Sequence, residues 1–153
     1  MNAQETITAF YTAFQRKDYA TMQALYHDDA TFSDPVFPHL NAREVRSMWQ
    51  MLLTSPTDLR VEFKVFGDAD GGASCRWEAW YHFSKTNRPV HNRIESIFEF
   101  MDGKIIRQHD HFDFWRWSRQ ALGFPGVLLG WSSMIQNKVR STARSRLDKF
   151  MNP

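Results

Sequence analysis

Two aspartates stand where a carboxylate could do proton chemistry. Residues 26–38 read YHDDATFSDPVFP and residues 107–117 read RQHDHFDFWRW. Each stretch sets a carboxylate, Asp34 or Asp110, among large apolar side chains. Burial penalises the charged form, so a carboxyl facing an apolar interior exchanges its proton well above the ordinary value of about 3.9. A pocket with acid/base chemistry is the first expectation. The plainer alternative is a pair of solvated aspartates at strand ends. A second set, His91, His109 and His111 with Asp113, places two imidazoles and a carboxylate in one row of a strand. Such a row could hold a divalent metal, but a solvated outer face suits it better. No metal and no cofactor are therefore expected.

The elements that must position these groups are legible as periods. Ile7, Phe10, Tyr11 and Phe14 recur at three and four residues, which predicts a helix over 3–16. Asp18 can cap a second helix running through Tyr26, with Asp28-Asp29 as a turn after it. Ala30 to Asp34 reads as a short strand ended by Pro35. Asn41 can cap a third helix, Ala42 to Thr54, with Val45, Met48, Trp49 and Leu52 as its buried stripe. Alternation then predicts strands over Leu59–Phe66, Ser74–Ser84, Val90–Met101 and Lys104–Trp115, with Asp102-Gly103 as a hairpin turn. Beyond Trp117 the pattern returns to helix: a short piece over Arg116–Leu122, a break at Phe124-Pro125-Gly126, and a long amphipathic helix over Val127–Met151 that includes Trp131. Three helices before a meandering antiparallel sheet make an α+β domain with helices on one face of a curved sheet.

Strand alternation decides which side chains face inward. Asp110, Phe112 and Phe114 share one face of the last strand, and the phenylalanines mark it as the inner one. Phe32 and Asp34 share a face by the same rule. In the preceding long strand Ile94, Ser96, Phe98 and Phe100 point in, which turns His91, Arg93, Glu95 and Glu99 out; a single β-bulge would reverse that locally.

Composition bounds the rest. The chain of 153 residues suits one sizeable core. Thirteen Phe and six Trp are more ring surface than a small core needs, so they line either a cavity or a densely packed interior. A net charge of +2 argues against a nucleic-acid-binding domain. Lys138, Arg140, Arg144, Arg146 and Lys149 face only Asp148, which reads as a solvated helix face, with an anionic membrane or nucleic acid as the minor alternative. The one cysteine, Cys75, forms no intrachain disulfide and reads as a buried small hydrophobe. There is no basic-plus-apolar leader and no run of about 18 apolar residues, so a cytoplasmic protein without a transmembrane segment is expected.

These residues resemble the nuclear transport factor two superfamily, and within it the SnoaL-like group, on DPVFP, DGKI and the HDHFDFWRW run. The resemblance covers residues 1 to about 117 and implies a cone-shaped α+β pocket domain; residues 118–153 look like a helical extension, packed on the same domain or on a partner chain. HDDATFSDP is similar to the segment that holds the general base of ketosteroid isomerases, which implies that role for Asp34. The isomerase's oxyanion tyrosine then falls at Phe10, which has no donor, and its protonated acid at or near Ser96. Steroid isomerisation is therefore not implied. Tyr11 is adjacent to Phe10 and, at about 100° per residue, is expected to point elsewhere. HDHFD is similar to the segment carrying the base of epoxide hydrolases and the acid of polyketide cyclases, which implies that role for Asp110. Arg93-Ile94-Glu95 has the form of the epoxide hydrolases' Arg-x-Asp, which would add Arg93 and Glu95 if a bulge turned them inward.

The implied candidates are thus Asp110, Asp34, Glu95 and Arg93 for catalysis, and Phe10, Phe32, Trp77, Trp80, Tyr81, Phe98 and Phe112 for binding an apolar ligand. Two functions stay open: a cofactor-independent enzyme of isomerase, cyclase or epoxide-hydrolase type acting on an apolar cyclic or polyketide-like molecule, or a pocket or dimeric interaction protein without chemistry. The resemblance implies a homodimer in either case.

Overall fold

Helix ends are specified locally in this chain. The computed structural model describes residues 1–130 and 132–153. Helix α1 (Ala3–Gln15) opens with a capping box in which the Asn2 side chain and Glu5 satisfy each other's backbone N–H. Asp18 caps α2 (Tyr19–Ala24), and Asn41 with Glu44 forms a second capping box on α3 (Ala42–Thr54). Strand β1 (Tyr26–Ser33) follows α2, and a two-residue β2 (Leu40–Asn41) precedes α3. Then come β3 (Arg60–Gly67), β4 (Ala73–His82), β5 (Pro89–Met101) and β6 (Lys104–His111). The turn between β5 and β6 uses positive φ at both Asp102 and Gly103, the geometry that suits a two-residue hairpin.

One six-stranded sheet runs in the order β2-β1-β6-β5-β4-β3. Strands β3 to β6 form the expected antiparallel meander, and β1 joins β6 in parallel. The inner face of the curved sheet is covered by α1 and α3. Phe10 sits at the centre of this contact, edge-on to Tyr26 at 5.6 Å and to Trp49 at 5.9 Å.

Four boundaries differ from expectation. Tyr26 opens β1 instead of ending α2, and its ring is fully buried. Asp28 and Asp29 lie within β1, where pairing steps from Tyr26 opposite Ile105 to Thr31 opposite Arg107, so the irregularity expected as a turn is a bulged stretch of strand. Strand β6 stops at His111, because Asp113 caps α4 (Phe114–Leu122) and draws the chain off the sheet. The long last helix is two: α5 (Phe124–Leu129) and α6 (Ser133–Met151), the second capped by Ser132. Pro125 lies in the first turn of α5, where its missing N–H is no loss, so the expected break is a helix start. Trp131, expected on the long helix, lies outside the described residues. Helix α4 packs on β5 and α6 on α3, so the C-terminal helices cover the same chain.

Candidate active site

The even-numbered row of β6 points into the sheet's concave side, as alternation requires. Gln108 is fully buried, Asp110 is 3% exposed, and Phe112 continues the row. Asp34 follows β1 on the loop 34–39. Both carboxylates line one cavity of about 550 Å³, whose wall includes Trp49, Trp77, Tyr81, Phe112 and Trp117. Its ceiling is α3, where Leu52 is part of the lining, and Ala143 and Arg146 of α6 close one side. The C-terminal extension is thus part of the cavity wall.

Asp110 is held by a hydrogen-bond network with fixed direction. The Ser96 hydroxyl donates to Asp110 Oδ1 at 2.6 Å. Ser96 Oγ in turn accepts from Trp77 Nε1 at 2.8 Å and from the Tyr11 hydroxyl at 2.9 Å. An indole N–H is a donor only, so with both lone pairs of Ser96 Oγ occupied its single proton must go to Asp110. From the other side, Trp49 Nε1 donates to the Tyr26 hydroxyl at 2.9 Å, Tyr26 donates to Gln108 Oε1, and Gln108 Nε2 donates to the same Asp110 Oδ1 at 3.1 Å. Two chains of donors therefore end on one oxygen. Oδ1 must be an acceptor in both protonation states, and any proton on Asp110 sits on Oδ2, the oxygen left for the cavity.

Burial pushes Asp110 up to about 7; the Ser96 bond pulls it down, the charge of Asp34 raises it, and Gln108 lowers it. Asp34 is pushed up to about 6, again by burial first. It is held lower than Asp110 because its Oδ1 accepts from the amides of Phe37 at 2.5 Å and Val36 at 2.7 Å, and because Arg140 lies near. Arg140 Nε donates to the carbonyl of Pro35 at 2.8 Å, and Arg144 is paired with Glu44 at the start of α3. Helix α6 thus ties the Asp34 loop to the ceiling helix. Two carboxyl groups with separated pKa values in one apolar cavity can divide acid and base roles near pH 6–7.

The structure moves several candidates away from the cavity. Arg93 and Glu95 are 65% and 66% exposed on the outer face of the sheet, in ion pairs with Glu78 and Arg76. The bulge that would have turned them inward does not occur there. Pairing of β5 with β4 is unbroken from Ser74 opposite Ile97 to His82 opposite Pro89, and the register shift against β6 falls later, between Glu99 and Phe100. Trp80 also faces outward, stacked on His91 at 4.5 Å with Arg60 over its ring. Trp77, Tyr81 and Phe112 line the cavity, whereas Phe10, Phe32 and Phe98 are buried behind its wall. Tyr11 does not point away: α1 buries a wide face that includes both Phe10 and Tyr11. His109 contacts Ser33 and His91 contacts Glu78, and among the described residues no group of three or more His, Cys, Asp or Glu is arranged to hold a metal. Cys75 is buried and its thiol is pushed up to about 12 by burial, which leaves it inert.

Sequence reading missed Tyr11, Tyr26, Trp49 and Gln108 as parts of the site. A signal was present for the last: Gln108 and Ser96 are polar residues in rows that alternation makes apolar and buried.

A family model of the SnoaL-like domain matches residues 7–108. The chain belongs to this family. Asp34 lies inside the matched stretch and Asp110 two residues beyond it. The architecture is the cone fold of the nuclear transport factor two superfamily. A candidate polyketide cyclase from Pseudomonas putida superposes with a TM-score of 0.67 at 19% identity, over 79% of this chain and 98% of that one. A candidate isomerase from Bacillus subtilis gives 0.65 at 21%, over 79% and 92%. An LEH-like epoxide hydrolase from M. tuberculosis gives 0.60 at 22%, over 87% and 94%. At such identities the likeness is one of fold. No curated protein matches the chain.

Proposed function

We propose that this SnoaL-like protein is a cofactor-independent acid/base enzyme acting on an apolar cyclic or polyketide-like molecule. The observation that carries the reading is the meeting of Asp34 and Asp110 on one aromatic cavity. Asp110, protonated on Oδ2, is the general acid. Asp34, the lower of the two, is the base. In a hydration reaction Asp34 takes a proton from water as its oxygen bonds to a ring carbon. The carbon–oxygen bond of the strained ring breaks, and the leaving oxygen takes the Oδ2 proton of Asp110. In an isomerisation Asp34 takes the proton beside a carbonyl as Asp110 protonates the carbonyl oxygen, and the enol then returns its O–H proton to Asp110 while Asp34 delivers its proton to a different carbon. Either donation leaves the ionised Asp110 with Ser96 and Gln108 already aimed at its charge, so little reorganisation accompanies the transfer.

The rival, a pocket that binds without turnover, gains from one observation: Asp34 Oδ1 caps two amides of its own loop, which is a structural task. Incubation of the protein in D2O with cyclic ketones, and in water with cyclic epoxides, separates the readings. Deuterium uptake beside the carbonyl, or diol formation, that is lost in Asp110→Asn supports the enzyme. Tight binding of the same compounds with no turnover establishes the rival.

A further inference from the structure

Helix α5 is built inside out. Its small residues face the protein: a Cβ at Gly126 would stand 2.0 Å from the Ser118 carbonyl oxygen, and one at the following Gly130 would stand 1.9 Å from Ser118 Oγ. Its large apolar side chains face away. Phe124 is 73% exposed, Val127, Leu128 and Leu129 are also exposed, and Met134 at the start of α6 joins them. The helix is nonetheless firmly seated, since Trp115 Nε1 donates to the Val127 carbonyl at 3.3 Å and Arg119 covers the Trp115 ring at 4.0 Å.

The sequence that carries this patch is basic. Between Asp113 and Asp148 the chain holds six Lys or Arg and no acid. Of these, Arg140 and Arg144 are engaged with Pro35 and Glu44, and Arg146 lines the cavity. Arg116 and Arg119 are on α4, against which α5 packs, with Arg119 laid on the Trp115 ring; Arg88 adjoins Gly123 and donates through Nε to the Gln120 carbonyl. Lys138 is exposed one helical turn beyond Met134, on the same side of α6. Exposed apolar side chains with cations on the adjoining helices match the boundary of an anionic bilayer, where acyl chains take the former and headgroups the latter. A second copy of the chain fits less well. The five exposed apolar side chains of α5 and the start of α6 offer far less than the roughly 800 Å² per partner of a standard interface. An isologous contact would also set these cations against their own copies.

We propose that α5 and the start of α6 form a docking surface for an anionic membrane. This does not rest on the acid/base reading. Co-sedimentation of the full chain with phosphatidylcholine vesicles, and with vesicles of phosphatidylcholine mixed with phosphatidylglycerol, tests it. Binding is expected to the mixed vesicles, with release by added salt. Phe124→Ser combined with Val127→Ser should weaken it about tenfold or more. Arg116→Gln and Lys138→Gln should each weaken it about fivefold. All four substituted side chains are exposed or half-buried, and circular dichroism checks that the fold is kept. Absence of binding to the mixed vesicles, or binding that both sets of variants leave unchanged, overturns the proposal. So does a lipid-free dimer, seen by sedimentation equilibrium, that Phe124→Ser with Val127→Ser converts to monomer, because the patch is then a protein interface.

Discussion

The two faces of the paired strands β5 and β6 both carry carboxylates, to opposite effect. Outside, Arg93, Glu95 and Glu99 stand in water and pair with Glu78, Arg76 and Arg107 at 3.3–3.9 Å. Exposed pairs of this kind are worth roughly 0–1 kcal/mol, because solvent screens them and two long side chains must be ordered. Inside, Ser96 and the carboxylate it touches on β6 are buried, and every polar atom but Asp110 Oδ2, which is left for the cavity, has a specified partner. Glu95 on β5 and Asp110 on β6 are one register step apart in the paired strands, and that step separates a carboxylate that decorates a surface from one whose proton is available near pH 7. Depth, more than residue type, selects the chemistry.

Removing the inner charge should break this contrast most. Asp110→Asn keeps the acceptor for Ser96 and Gln108 and puts an N–H where the Oδ2 proton would be, so it mimics the protonated acid. Any activity should fall by about 10²–10⁴-fold. Stability should move the other way. The folded state holds this proton up to about pH 7, whereas the unfolded carboxyl loses it near 3.8. The folded form is thus favoured by this group below pH 4, and that contribution is lost as pH rises toward 7. The variant escapes the loss, so its thermal melts should match wild type at pH 4 and gain up to about 4 kcal/mol by pH 8. A constant offset across that range would mean Asp110 is already ionised at low pH.

Ser96→Ala should be next. It strands the Tyr11 hydroxyl and the Trp77 N–H, at about 1–3 kcal/mol, and removes the donor that holds Asp110 down. The carboxyl carbon of Asp110 should titrate higher by NMR, and the alkaline limb of a pH–rate profile should follow it upward. Tyr26→Phe attacks the other chain at its middle. It should cost about 1–2 kcal/mol in urea melts, since Trp49 loses its acceptor and Gln108 its donor, with a smaller change at Asp110. The smallest effect belongs to the outer face. Glu95→Gln should change stability by no more than about 0.5 kcal/mol and leave turnover unaltered. A loss of activity there would show that the outer row takes part after all.

Strand alternation made the direction of Asp110 and Phe112 legible from β6 alone, because period two is a local property of the backbone. Asp18 and Asn41 marked helix starts for the same reason. What remained hidden is non-local. Tyr11 meets Ser96 across 85 positions and Tyr26 meets Gln108 across 82, so nothing in either neighbourhood announces the bond. Residues 93–95 read inward by family likeness and outward by alternation, and the uninterrupted β4–β5 ladder decides for alternation. Phe124-Pro125-Gly126 was read as a break before one long helix, whereas Pro125 sits in the first turn of a separate short helix, a position that tolerates it as well as a loop does.

The indoles at the two ends of the Asp110 network have a statistical consequence. In ice, each hydrogen bond can point either way, and the choices leave a residual disorder of protons. Trp49 and Trp77 can only donate, so each acts as a boundary that orients every bond between itself and the carboxylate. The network has one arrangement of hydrogens, and it survives both gain and loss of the Oδ2 proton. Each turnover would begin and end in the same microstate of the surrounding bonds, with no proton positions left to sort.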